Sequence, residues 1–385
     1  MKILMIHPHD LFSRKEPWTI RIKKIAQEFK QKGHAIKIIY FPLEYQELRD
    51  SFTIQGIEYI PLSRKLGIAN YFKNIRYVCE QGKWSDIIHF QKCFAYAALP
   101  ALISGFLNNK PLHYDWDDWE IKIFYYCAKQ PRLVGAFLWA LERYIPNLCD
   151  TISVSSQRLK QECIKYGIAP NKIAMAPVGA DLDLFHPDIS SIRIREKYNI
   201  YGPIISYLGQ LHGGQYAEQF IRAAKIITNQ IKGLTFFIIG GGYRLAELKT
   251  LAQDLDMEKN IVFTNAVSHQ ETPLYLAATD IAVACFENNE ITQCKSPLKI
   301  AEYLASGKPI IASDVGEVKR MLGGAGILTL PGDSEDLAQG IKRLLDDEPL
   351  RKRLAKKARQ RAEELYNWKT TAENLLNIYA ESWKE

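Results

Sequence analysis

Apolar runs of strand length recur at residues 2–6, 34–41, 86–90, 111–114 and 151–154, and the longer stretches between them carry apolar residues at helical spacing. This alternation predicts βαβ units and a mainly parallel sheet. The pattern restarts beyond residue 187, with runs at 203–208, 234–239, 261–264, 281–285, 309–312 and 326–329, which predicts a second sheet of the same kind. Residues 177–187 hold Gly179 and two aspartates between prolines and read as the connection. The expected division is therefore 1–185, 186–367 and a last helix in 368–385, where apolar residues recur at helical intervals with no strand to follow.

A chain of 385 residues exceeds one ordinary core, so two α/β domains and a cleft between them are expected. With 47% hydrophobic and 24% charged residues and no repeat, disorder and solenoid folds are excluded. The opening MKILMIHP is too short for a secretory signal and reads as a buried strand, which places the protein in the cytoplasm. Cys79, Cys93, Cys127, Cys149, Cys163, Cys285 and Cys294 are scattered, with no pair at metal-ligand spacing, and are expected as reduced thiols with no bound metal. The most apolar stretch, 96–107, is broken by Pro100 and reaches about half of the roughly 20 residues a membrane span needs.

The net charge of +7 is uneven: seven Lys or Arg lie in 14–32 against Glu16 and Glu28, while Trp18, Ile22, Ile25 and Phe29 form one apolar stripe. A first helix packed on its own sheet explains this pattern. Attraction to anionic lipid at the inner membrane face, or to a phosphorylated acceptor, is the sharper alternative. Nucleic acid is not an expected partner, because neither a binding motif nor aromatics interleaved with the basic run are present.

The segment 296–307, SPLKIAEYLASG, carries the strongest chemical signal. Ser296 suits an N-cap, Pro297 the first helical position and Gly307 the C-terminal stop. The N–H groups of Leu298 and Lys299 would then point out of a helix start that favours phosphate, and Lys299 adds a full cation. Glu302, one turn on, could accept hydrogen bonds from ribose hydroxyls. By itself a helix start of this kind fits many α/β proteins.

The full string resembles the retaining glycosyltransferases of family 4, which carry SPLK-x-x-EY-x-AxGxP before a strand ending in Ala-Ser-Asp; Ser296, Pro297, Lys299, Glu302, Tyr303, Ala305, Gly307, Pro309 and Asp314 match. Lys32-Gly33-His34, the run 86–89, the run 177–185 and Asn367-Trp368 resemble further family landmarks in order, so the resemblance covers almost the whole chain. It implies an α/β GT-B fold: two Rossmann-like domains with parallel sheets facing a central cleft, the acceptor on the N-terminal one, the nucleotide sugar on the C-terminal one, and the final helix crossing back.

The resemblance also implies site residues. Gly209 matches the glycine turn after the second domain's first strand, but Gln210 stands where an arginine is expected, and Gly213-Gly214-Gln215 offers no lysine. Backbone N–H groups of Gly213 and Gly214 could form an anion nest instead, with His212 as a further donor. Gly240 and Gly241 give a second close backbone approach, and Val267 is expected beside the donor. Cys294 replaces the first of the family's two glutamates eight positions apart.

In the N-terminal domain, 113–120 concentrates carboxylates and aromatics after a strand, where open α/β sheets place their sites. Asp115 and Asp118 match the family's DxHD string and Asp117 replaces its histidine. Asp117 and Asp118 are the catalytic candidates there, beside Lys299 and Glu302, and Asp115, Trp116, Trp119 and His89 are expected at the acceptor. The same letters read as a DxD metal motif of GT-A enzymes, ranked second.

The implied activity is transfer of a sugar from a nucleotide diphosphate sugar, of UDP or GDP type and with no other cofactor or metal, to a hydroxyl of a glycan, glycolipid or small molecule, with retention of configuration. Polysaccharide or glycolipid assembly is the expected setting. A nucleotide-sugar epimerase or hydrolase is one alternative; a non-catalytic GT-B partner or carbohydrate-binding protein, suggested by Gln210, is another.

Overall fold

The computed structural model describes residues 1–13, 16–44, 50–65, 67–127, 131–214 and 216–382, the side chains of Pro17 and Cys127 excepted. Gln215, expected in the donor turn, and Arg14, Lys15 and Trp383 lie outside the described residues. The chain forms two compact units, Met1–Pro177 with Trp368–Glu385, and Val178–Asn367.

The first unit is built on eight strands, β1 (Lys2–His7), β2 (Ala35–Tyr40), β3 (Phe52–Ile54), β4 (Ile57–Pro61), β5 (Ile87–Gln91), β6 (Leu112–Trp116), β7 (Thr151–Val154) and β8 (Ile173–Met175), in the order β3-β4-β2-β1-β5-β6-β7-β8. All neighbours are parallel except β3 against β4. Strands β5 and β6 are buried at every position, as a parallel sheet covered on both faces requires. Its helices are α1 (Ile20–Gln31), α2 (Ile68–Trp84), α3 (Ala95–Asn108), α4 (Glu120–Cys127), α5 (Arg132–Tyr144) and α6 (Gln157–Lys165). Ile22, Ile25 and Phe29 of α1 are buried as their spacing predicts, whereas Trp18 precedes the helix and is exposed. The stretch 96–107 is α3, and among the described residues no helix is long and apolar enough to cross a membrane.

The second unit has six parallel strands, β9 (Ile204–Leu208), β10 (Thr235–Ile239), β11 (Ile261–Phe263), β12 (Ile281–Ala284), β13 (Ile310–Ser313) and β14 (Gly326–Thr329), in the order β11-β10-β9-β12-β13-β14. This is the Rossmann order, with its reversal between β9 and β12. Its helices are α7 (Ile192–Tyr198), α8 (Tyr216–Gln230), α9 (Leu245–Asp254), α10 (Thr272–Ala278), α11 (Glu290–Cys294), α12 (Leu298–Ala305), α13 (Val318–Leu322), α14 (Ser334–Asp346) and α15 (Glu348–Glu364).

The units divide at 177/178 rather than at 185/186. Phe185 is fully buried in the second unit's core, and the Ala180 N–H donates to the Tyr366 carbonyl of the same unit at 2.8 Å. The last helix, α16 (Trp368–Glu381), packs within the first unit against α1 and β8. Sequence periodicity missed β3, β4 and β8. The first two form a short antiparallel hairpin at the sheet edge, where β3 is largely exposed and shows no apolar run.

Candidate functional site

In the second unit, three segments converge beyond the carboxyl ends of the strands. The Gly209 N–H donates to the Ile239 carbonyl at 3.0 Å, which draws the turn after β9 against the turn after β10. The approach requires glycine: a Cβ on Gly240, whose φ is +145°, would lie 2.0 Å from the Gly209 carbonyl oxygen. A Cβ on Gly209 would lie 2.6 Å from Lys299 Nζ, so the same turn leaves room for the lysine. Lys299 comes from the first turn of α12, and its ammonium sits 4.2 Å from the centre of the Tyr207 ring on β9 and 5.4 Å from that of Phe286 after β12. This is the reversal point of the strand order. Burial lowers the Lys299 pKa to about 8, and among the described residues no carboxylate forms an ion pair with it.

The carboxylate of Glu302, buried on α12, accepts a hydrogen bond from His269 Nε2 at 2.9 Å. His269 follows Val267 in the β11–α10 connection, and Val267 packs against the unit's core. The pattern gave no sign of His269, because its partner is 33 positions away. Beside the Gly213-Gly214 turn, Gln210, Tyr207, Tyr216 and Arg244 line a small cavity. Arg244 donates to the Gly214 carbonyl and pairs with Glu218 at 3.1 Å and Glu247 at 2.5 Å.

Two expectations for this segment are corrected, the Ser296 cap and the free Gly213 N–H. Ser296 does not cap α12: the N-cap position is Pro297, and the Ser296 hydroxyl accepts from the Val178 N–H at 3.3 Å. The connection from α11 is extended at Lys295, which carries Ser296 one residue too early to reach the helix's N–H groups. Gly307, at φ +60°, does stop the helix. The Gly213 N–H is taken by the Tyr243 hydroxyl at 2.8 Å, so the expected nest is not free there. His212 stacks on the Tyr243 ring, and its Nδ1 accepts from the Tyr243 N–H at 3.4 Å. Gly241 uses its carbonyl to bind the Leu211 N–H. Cys294 is buried at the end of α11.

The first unit holds a second polar group at the carboxyl ends of β5 and β6. Arg21 of α1 binds Asp115 with two bonds of 2.8 Å, while Gln91 and Ser153 donate to the same carboxylate at 2.5 and 2.6 Å. His89 meets the Tyr379 hydroxyl of α16 at 2.5 Å, and the Trp116 indole donates to Glu142 at 2.9 Å. Asp115, His89 and Trp116 are therefore corrected from acceptor contacts to fully buried members of the unit's interior. A buried carboxylate survives only with its hydrogen bonds satisfied, and here protein donors satisfy them. Trp119 is mostly buried too, with the Lys122 ammonium 5.1 Å from its ring.

The remaining acids gather round a residue that the pattern did not flag. Lys92, directly after β5 and at φ +63°, is buried and pairs with Glu120, with Asp117 at 3.3 Å and with Asp118 at 3.6 Å. Burial raises the pKa of Asp117, and that of Glu120 to about 7, while Asp118 is the most open of the three. Lys92 supplies one positive charge to these three carboxylates, which lie within 4.8 Å of one another. The DxD pair Asp115 and Asp117 cannot act together, because Asp115 is already enclosed by Arg21, Gln91 and Ser153.

Comparison with known proteins places these units in context. Residues 19–184 match the model of Glycosyltransferase Family 4, and residues 190–361 that of Glycosyl transferases group 1. The chain is 27% identical over 191 residues to an alpha-D-kanosaminyltransferase of Streptomyces kanamyceticus, covering 49% of this chain and 48% of that protein. It is 27% identical over 255 residues to a D-inositol 3-phosphate glycosyltransferase of Corynebacterium aurimucosum, covering 63% and 59%. The match thus spans about half to three fifths of these curated relatives. The structure of Anabaena HepE in complex with UDP and glucose superposes with a TM-score of 0.75 at 18% identity, covering 99% of this chain and all of that one, a likeness of fold.

Proposed function

The chain belongs to the group 1, family 4 glycosyltransferases, and from that membership we propose that it moves a sugar from a nucleotide diphosphate sugar to an acceptor hydroxyl with retention of configuration. The observation that carries the reading is Lys299: a half-buried ammonium with no carboxylate ion pair among the described residues, at the start of a helix and beside the Gly209–Gly240 backbone approach. A buried cation costs free energy unless an anion meets it. The departing diphosphate is such an anion, and a fixed cation with the α12 N-terminus would stabilise its growing charge.

Glu302, oriented by His269, is assigned to the ribose hydroxyls, with Gly209, His212, Gly240, Gly241 and Val267 around the nucleotide. Arg244, next to the Gly214 carbonyl, lies near Gln210, where the family's arginine is missing, with its charge met by Glu218 and Glu247. Asp117 and Asp118 are the carboxylates left to orient an acceptor hydroxyl. A UDP-type donor is favoured by the likeness to the UDP-bound fold, and a polyol acceptor by the relative that acts on D-inositol 3-phosphate.

Calorimetric titration with UDP, GDP and ADP tests this reading, with Lys299→Ala and Glu302→Ala as controls. Base-selective binding weakened by both substitutions is expected. No binding to any of the three nucleotides would overturn it in favour of a non-catalytic GT-B protein.

A further inference from the structure

Helix α5 is amphipathic in the reverse sense. It buries Gly135, Leu138 and Glu142, and turns outward Leu133, Ala136, Phe137 and Tyr144. With Ala140 these fall at i, i+3, i+4, i+7 and i+11, one continuous stripe of the kind a surface helix ordinarily turns to its core. Leu133 is 83% exposed and Phe137 54%. Val134 and Trp139 flank the stripe; on α4, Tyr125 and Tyr126 are also exposed, Tyr125 resting on Gly135 of the inward face of α5, where a Cβ would lie 2.7 Å from its hydroxyl.

Charge identifies the occupant. Lys122, Arg132 and Arg143 border this surface, while the acids of the two helices, Glu120 and Glu142, are both buried. Glu120 pairs with Lys92, and Glu142 accepts from the Trp116 indole and from the N–H groups of Glu120 and Ile121. A second copy seated by two-fold symmetry would bring these cations together with no carboxylate from either helix to meet them. Tyrosine and tryptophan with an apolar body and a polar tip, rimmed by cations, suit the boundary between headgroups and acyl chains.

We propose that the α4–α5 hairpin docks the protein on an anionic lipid bilayer. The inference does not depend on the transfer reaction, and it moves the membrane-facing surface from the basic first helix to this one. In α1, Arg21 turns inward to Asp115 and Lys32 pairs with Glu373 of α16.

Flotation with phosphatidylcholine vesicles, with and without phosphatidylglycerol, tests it. The protein floats with the anionic vesicles, and its Trp139 emission shifts to the blue, a change that Trp139→Phe removes. Joint substitution Leu133→Ser and Phe137→Ser weakens vesicle binding about tenfold or more, while circular dichroism keeps its helical signal, because more than half of each side chain is exposed. Joint substitution Lys24→Glu and Lys30→Glu on α1 leaves flotation intact. The proposal is overturned by failure to float, by equal flotation on vesicles without phosphatidylglycerol, by binding that survives the Leu133 and Phe137 substitutions, or by a dimer in sedimentation that those substitutions dissolve.

Discussion

The ammonium of Lys299 lies 4.2 Å from the centre of the Tyr207 ring, so the cation at the start of α12 is held by an aromatic face. Burial lowers its pKa to about 8, and a bound diphosphate would raise it again. Binding then takes up a proton above that pH. Nucleotide affinity should be constant below pH 8 and fall by up to about tenfold per pH unit above it. Calorimetry on either side of pH 8 checks the slope, which Lys299→Ala should abolish along with about 1.5–3 kcal/mol of binding.

The Glu302–His269 bond of 2.9 Å predicts that His269→Ala leaves the fold intact but lets the carboxylate turn. Nucleotide affinity should drop by about 1 kcal/mol, and Glu302→Ala should add little further loss in the double variant. Additive losses in the cycle would show that the two residues act separately.

Gly240 and Gly324 both have positive φ, but only Gly240 faces a backbone oxygen, 2.0 Å from the place of its Cβ; nothing lies within 4 Å of that place at Gly324. Gly240→Ala should cost about 3 kcal/mol or more and Gly324→Ala about 1–2 kcal/mol. Thermal melts of the two variants separate the close approach from the backbone conformation alone.

Asp115 carries a prediction about acid stability. Burial would raise its pKa, but the Arg21 charge and hydrogen bonds, with Ser153, hold it well below the usual carboxylate range. Its contribution is therefore present above its unfolded pKa of about 3.9 and is lost as pH falls below that value. Asp115→Ala leaves the Arg21 guanidinium buried without its partner and should cost about 3–5 kcal/mol at neutral pH, read from denaturant unfolding.

The sequence alone determined the two sheets, the final helix, the family resemblance and the α12 segment, because each is written in residues close together along the chain. Periodicity places strands such as β7 and β14 within local runs, and the string from Pro297 to Gly307 carries its helix and its stop within a few positions. What only the tertiary structure decided are relations between distant residues. Arg21 reads as one cation of a basic face until α1 lies beside β6, 94 positions on, and its charge finds Asp115. Lys92 carries no motif, yet parallel pairing of β5 with β6 sets it among Asp117, Asp118 and Glu120. Glu302 acquires His269 and Lys299 acquires Tyr207 in the same way. Long-range contacts are set by strand order and packing, and a buried charge must find its partner across them, which spacing along the chain does not encode.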